Sequence, residues 1–167
     1  MRRQLRIAGL LLAACAGTAY ADKPLTEVFF GFDSDNLDMQ SKVMLDAAAQ
    51  KAAGEPGANI LLEGHADPRG SGPYNVALSI RRVEAAANYL VDRGVNRSNI
   101  VMAYYGKDGP RRATFAQDRR VSVAMTRSPL YVIIDNALPT ATAVKWEKPA
   151  TVAEIEGPRA VEQTARR

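Results

Sequence analysis

The hydrophobic and polar positions of the chain follow two different periods, and the shorter one predicts β-strands. Four segments are rich in β-branched and aromatic residues, or alternate between apolar and polar positions, and turn residues bound them. These predicted strands cover residues 28–32, 59–66, 100–105 and 121–126. In the last of them, apolar positions alternate with Ser122, Ala124 and Thr126, which predicts one solvent-facing side.

The longer period, of three and four residues, predicts two helices. The first covers residues 39–53, with Asp38 as its N-cap and Gly54 at its end. The second begins at Pro73, which suits a first helical position, and stops before Gly94. Its apolar face contains Val76, Ile80, Val83, Ala87 and Leu90. This order of elements predicts an α+β fold with both helices packed on one face of a sheet.

The pattern changes after Arg127. Residues 130–134 predict an edge strand, because they form a short apolar run. The prolines at 139, 149 and 158 predict an extended, poorly ordered tail over the rest of the segment 128–167.

Polar side chains between the second predicted strand and the second predicted helix form a candidate site. Asp67 follows the strand, whereas Asn75 and Arg82 lie about two turns apart on the helix. Helical side chains lean toward the N-terminus, so the Arg82 guanidinium points back toward Asp67. An acid and a base that converge suit the ammonium and the carboxylate of a zwitterion. The spacing fits a loop-to-helix salt bridge without a ligand equally well.

The sequence resembles the OmpA-like peptidoglycan-binding domain family, most closely its peptidoglycan-associated lipoprotein (Pal) branch. The matching segments are VFFGFDSDNL at 28–37, EGHADPRG at 63–70, the N-x-x-L-S-x-x-R pattern at 75–82, Gly-Val at 94–95, Tyr-Gly-Lys at 105–107 and Arg-Arg-Val at 119–121. The resemblance covers residues 27–127. It implies an OmpA C-terminal-like βαβαββ-type sandwich, in which two main helices pack on one face of a mixed sheet.

The resemblance also implies a ligand. In that family the pocket binds meso-diaminopimelate, an amino acid of the peptidoglycan stem peptide. Asp67 would then hold the ammonium and Arg82 the carboxylate, while Asn75 would bond the ligand or fix the loop. Asp33 would form another wall of the pocket with the loop at 34–37.

Weaker candidates for ligand contacts, on the same resemblance, are Ser34, Ala66, Ser79, Arg119 and Arg120. Three positions depart from the family pattern. Ala66 replaces the usual threonine, as it does in Pal, and Val83 replaces an alanine. Asp118 stands where an asparagine often precedes the paired arginines, which weakens the assignment of Arg119 and Arg120.

The N-terminus predicts export. Residues 1–21 have a basic start, an apolar run at 7–16 and a small-x-small cleavage site, Ala-Tyr-Ala at 19–21. The same segment also fits a lipoprotein signal of residues 1–14 followed by an acylated Cys15, the only cysteine. Both alternatives place the protein in the periplasm, and acylation would attach it to the outer membrane.

The charge of the chain does not indicate nucleic-acid binding. The net charge is +4, but Arg2, Arg3 and Arg6 lie in the export segment, and without them it is +1. A basic surface stripe is therefore not expected in the exported chain.

Catalysis is not expected either. His65 is the only histidine and no residue pattern completes a metal site, so neither a metal nor a cofactor is predicted. Ser79 has no general base at a recognisable spacing. The sequence predicts a non-catalytic module of the outer membrane and cell wall that binds peptidoglycan. The alternative is a protein-interaction module that docks a periplasmic protein such as TolB, which Pal engages.

Overall fold

The computed structural model describes residues 24–147, which form one mixed sheet with helices on both faces. The strands are β1 Thr26–Phe29, β2 Asn59–His65, β3 Ile100–Gly106, β4 Arg120–Thr126 and β5 Ala143–Trp146. The helices are α1 Met39–Ala53, α2 Gly72–Asp92, the single turn α3 Phe115–Asp118 and α4 Leu130–Ala137, with a 3₁₀ turn at Arg97–Asn99.

The strand order in the sheet is β1-β4-β2-β3-β5. Among the five described strands, only β2 and β3 pair in parallel, because α2 carries the chain back between them, and the other neighbours are antiparallel. This confirms the predicted α+β class and the mixed sheet. The carboxyl end of β2 therefore faces the start of α2 across a single loop, which holds Asp67.

Both predicted helices are present with sequence-encoded caps. Asp38 accepts a hydrogen bond from the backbone N–H of Ser41 at 2.7 Å, and α1 spans the residues predicted for it. Ser71, rather than the residue before Pro73, caps α2 through the N–H of Tyr74. Gly94 adopts a φ of 91° just after α2, a left-handed conformation that favours glycine.

The first strand ends at Phe29, three residues before the predicted boundary. The next two carbonyl groups accept hydrogen bonds from arginine side chains instead of from a neighbouring strand. The Phe30 carbonyl accepts from Arg119 Nε at 2.9 Å, and the Gly31 carbonyl accepts from Arg82 Nη2 at 3.1 Å. The chain after β1 is thus held by the arginines of the candidate site.

Helices α1 and α2 cover one face of the sheet, as predicted. Their buried side chains join apolar residues of four strands in the main core, which includes Val28, Leu45, Leu62, Leu90, Ile100 and Val121. Gly64 allows α2 to lie close to β2, since a Cβ atom there would be 2.4 Å from Val83 Cγ2 and 2.8 Å from the Ser79 carbonyl. This close approach brings the first turns of α2 beside the end of β2.

The other face of the sheet differs from the prediction. Residues 130–134 lie in the helix α4, not in an edge strand, and the edge strand is β5, which pairs with β3. Ile133, Ile134 and Ala137 of α4 pack on Leu61, Val101, Ala103, Tyr105 and Ala124. The predicted solvent-facing side of β4 is therefore covered in part, and Ser122 and Ala124 are buried. A short apolar run fits a helix or a strand, which explains the error.

Among residues 24–147, no helix has both the length and the apolar character needed to cross a membrane. The predicted export segment and Cys15 lie outside the described residues, as does the end of the predicted tail.

Candidate binding pocket

A pocket of about 160 Å³ opens where the end of β2, the start of α2 and the loop after β1 meet. Asp33, Asp67, Asn75, Arg82 and Arg119 line it, together with Arg69. The structure thus brings all four main predicted site residues into one cavity. Its charged lining consists of two aspartates and three arginines.

Asp67 is the buried acid of the pocket, at 4% exposure. Its Oδ1 accepts from the backbone N–H and from Nε of Arg69, both at 3.1 Å. Its Oδ2 accepts from Arg69 Nη2 at 2.6 Å and from Arg119 Nη1 at 3.3 Å. These hydrogen bonds, chiefly those from Arg69, lower the pKa of Asp67 to about 2. The carboxylate is therefore ionised at neutral pH.

Arg82 is fully buried and holds two segments of backbone, the loop after β1 and the end of β2, through three carbonyls. It donates from Nε to the Ser34 carbonyl at 2.8 Å, from Nη1 to the His65 carbonyl at 3.1 Å and from Nη2 to the Gly31 carbonyl at 3.1 Å. A guanidinium has five N–H groups, so these three carbonyls leave two of them unused. Burial lowers the pKa of Arg82 to about 10, which still leaves it charged at neutral pH.

Asn75 fixes the loop that carries Asp67. Its buried Nδ2 donates to the Arg69 carbonyl at 2.8 Å. Asp33 lies on the opposite wall, where its carboxylate accepts a hydrogen bond from the Tyr74 hydroxyl. The Ser34 carbonyl is held by Arg82, so that residue acts through its backbone.

Two of the weaker candidates, Ser79 and Ala66, form hydrogen bonds with the protein backbone. Ser79 is buried and accepts from the Gly106 N–H at 3.2 Å while it donates to the Val76 carbonyl at 2.8 Å, which ties α2 to β3. The backbone N–H of Ala66 donates to the Gly106 carbonyl at 2.7 Å. Both residues hold the walls of the pocket together.

The side chains of Arg119 and Arg120 lie in different cavities. Arg119 lines the pocket, whereas Arg120 lies in a different cavity, with Glu63 and His65. Consecutive residues of an extended segment point to opposite sides, which sends the two arginines to opposite faces. Arg120 Nη1 donates to the Gln117 carbonyl and Nη2 to the Pro110 carbonyl. This placement removes Arg120 from the lining of the pocket, whereas Arg119 remains part of it.

His65 also faces away from the pocket. It is buried and stacks on Tyr105, with ring centroids 4.8 Å apart. Burial first, and then the positive charges of Arg120 and Arg112, lower the pKa of His65 to about 3. Within residues 24–147, no cluster of three or more histidine, cysteine or acidic side chains suits a metal ion.

Sequence reasoning missed Arg69 and the aromatic rim of the pocket. The Arg69 guanidinium lies 4.2 Å from the Phe32 ring centroid and 5.4 Å from that of Phe115. Arg69 stands two residues after Asp67 within the EGHADPRG segment, so the sequence shows that the two residues are neighbours. The sequence does not show that the Arg69 side chain turns back onto Asp67, because this depends on the conformation of the loop.

The fold and the pocket define a small α+β domain in which, among residues 24–147, a buried acid and a buried base line a cavity at the end of the single parallel strand pair. The OmpA family model matches residues 29–123, and the chain belongs to the OmpA family.

Individual relatives agree with this assignment and confirm the resemblance to the Pal branch. A peptidoglycan-associated lipoprotein of Rhizobium meliloti is 40% identical over 108 residues, which are 62% of this chain and 61% of the relative. One from Pseudomonas aeruginosa is 36% identical over 106 residues, which are 60% of this chain and 62% of the relative. The chain thus spans about three fifths of the length of these two relatives.

Solved structures give the same fold. The crystal structure of the peptidoglycan-associated lipoprotein from Burkholderia pseudomallei superposes with a TM-score of 0.54 at 32% identity, over 62% of this chain and 91% of that one. The C-terminal domain of Helicobacter pylori MotB superposes with a TM-score of 0.55 at 16% identity, over 68% of this chain and 91% of that one. The second similarity concerns the fold alone.

Proposed function

We propose that this protein binds peptidoglycan non-covalently, through the zwitterionic centre of diaminopimelate in the stem peptide, and performs no catalysis. The observation that carries the proposal is that Asp67 and Arg82, an ionised acid and a charged base, are both buried and line the same 160 Å³ pocket. The names of the relatives, peptidoglycan-associated lipoproteins, support it.

The pocket would recognise the two charges of the ligand separately. The carboxylate would accept hydrogen bonds from the two N–H groups of Arg82 that the carbonyls leave free. The ammonium would donate to Asp67. Because Arg82 is held at three carbonyls and Asn75 holds the loop of Asp67, both partners are positioned before the ligand arrives. Such preorganisation lowers the entropic cost of binding.

A comparison of two peptidoglycans tests the proposal. The protein is mixed with insoluble diaminopimelate-type or lysine-type peptidoglycan and sedimented. Lysine lacks the side-chain carboxylate of diaminopimelate, so it leaves Arg82 without a partner. We expect sedimentation with the first polymer and little with the second. Equal sedimentation with both, or with neither, would contradict recognition of a zwitterion.

A tether to the outer membrane is the second part of the proposal. If Cys15 is acylated, one chain joins the membrane to the wall, and many weak links add up through multivalency. We expect a fatty-acid probe to label the wild-type protein in cells and not the Cys15→Ala variant. An unlabelled wild type whose N-terminus is Asp22 would show the alternative cleavage after residue 21 and remove the tether.

Docking of a TolB-like periplasmic protein is the second candidate function. The rim of the pocket supports it, because Phe32 and Phe115 are 64% and 48% exposed, and exposed aromatic side chains are frequent at protein interfaces. A pull-down of periplasmic proteins with an Asp67 variant would separate the two functions. Retained protein capture without wall binding would assign the rim to the partner and the pocket to the ligand.

A further inference from the structure

Asp67 has no free acceptor position in this structure. A carboxylate offers about four lone-pair sites, two on each oxygen. Each oxygen of Asp67 already accepts two hydrogen bonds, three of the four from Arg69 and one from Arg119. A ligand ammonium can therefore reach Asp67 only if one of these donors leaves.

Arg69 is the donor that can leave. Its side chain is 47% exposed, whereas that of Arg119 is 16% exposed and is also tied to the Phe30 carbonyl at 2.9 Å. The Arg69 backbone is held independently, because Asn75 bonds its carbonyl and its own N–H bonds Asp67. The guanidinium can thus move away without a change in the loop that positions Asp67.

We propose that Arg69 is an internal competitor of the ligand: its guanidinium occupies the ammonium position on Asp67 and must vacate it for the ligand to bind. The inference rests on the proposed function, since it concerns the same site. In this occupied position the guanidinium also lies over the rings of Phe32 and Phe115, 4.2 Å and 5.4 Å from their centroids.

The exchange has a quantitative consequence. A ligand that binds only the open state has an apparent affinity reduced by the fraction of molecules in that state. Removal of the Arg69 side chain makes the open state permanent. Arg69→Ala should therefore bind diaminopimelate roughly twofold to sixfold more tightly, the range for an ion pair with one partly exposed partner.

Binding of free meso-diaminopimelate, followed by NMR titration, tests this inference. Arg93→Ala is the matched control, because Arg93 is 46% exposed, bonds Asp46 at 2.7 Å and lies 4.4 Å from the Tyr89 ring centroid. Pimelate, which has the two carboxylates and no ammonium, is the control ligand. We expect tighter diaminopimelate binding in Arg69→Ala alone, and no gain for pimelate. Equal or weaker diaminopimelate binding in Arg69→Ala, or an equal gain for pimelate, would overturn the inference.

A second measurement needs no ligand and separates this inference from the proposed function. The Asp67 carboxyl is titrated by NMR in the wild type and in Arg69→Ala. Since hydrogen bonds from Arg69 are the main cause of its lowered pKa, that pKa should rise toward the usual range in the variant. An unchanged pKa would show that Arg69 does not occupy Asp67 in solution. If the pKa rises but no variant binds the ligand, the occlusion stands and the proposed function fails.

Discussion

The Asp67→Asn variant is expected to lose binding to diaminopimelate-type peptidoglycan by roughly 30-fold to several-thousand-fold. Removing one member of a buried charge pair typically costs about 2–5 kcal/mol of binding free energy. Asparagine keeps the shape of the side chain, but it gives the ligand ammonium no negative partner. The affinity is measured by sedimentation with purified peptidoglycan at several protein concentrations.

The control for this experiment is Asp46→Asn. Asp46 also forms an ion pair with an arginine, at 2.7 Å from Arg93, but it lies on the exposed surface of α1. The Asp46→Asn variant should bind peptidoglycan as tightly as the wild type. If Asp67→Asn binds as tightly as this control while it remains folded, the pocket is not the wall-binding site, and docking of a periplasmic protein becomes the better interpretation.

The Arg82→Ala variant is expected to lose roughly 3–5 kcal/mol of unfolding free energy. Three carbonyls lose their donor, and the buried one, that of His65, costs about 1–3 kcal/mol when it is left unsatisfied. The missing side chain also leaves a cavity beside Phe30, whose ring centroid lies 5.2 Å from the guanidinium carbon. Urea denaturation, followed by circular dichroism, measures the loss.

Arg81→Ala is the matched control for stability. Arg81 precedes Arg82 on α2 but is exposed, and its contact with Asp35 is 3.6 Å long. Exposed pairs contribute about 0–1 kcal/mol, so this variant should unfold near the wild-type midpoint. A similar midpoint for Arg82→Ala would contradict the structural role of Arg82. Because we expect Arg82→Ala to be unstable, its loss of ligand binding is informative only where the variant is shown to be folded.

The predictions that succeeded rest on local rules. Asp38 and Gly94 mark helix ends whose cap geometry depends on a few neighbouring residues. The convergence of Asp67 with Arg82 follows from helical geometry and from a short loop. These features lie close together in sequence, and this is why periodicity and spacing were enough to predict them.

The features that sequence reasoning missed depend on tertiary contacts. The segment at 130–134 is apolar enough for either structure, and only its packing on Leu61 and Val101 selects the helix. In the same way, Arg82 was expected to face a ligand, but its three carbonyl partners come from distant parts of the chain. The sequence therefore predicted that Arg82 contacts a ligand, but it did not predict that Arg82 also holds the backbone around the pocket.

Residues beyond the family match complete the sheet, and this determines where a recombinant fragment of the protein should end. The OmpA family match ends at residue 123, whereas α4 and β5 lie after it. A fragment cut soon after β4 would leave the edge of β3 unpaired and would uncover Val101 and Ala103. Open edges and apolar patches promote aggregation. A recombinant domain should therefore extend through Trp146, so that its solubility reflects the native protein rather than the position of the cut.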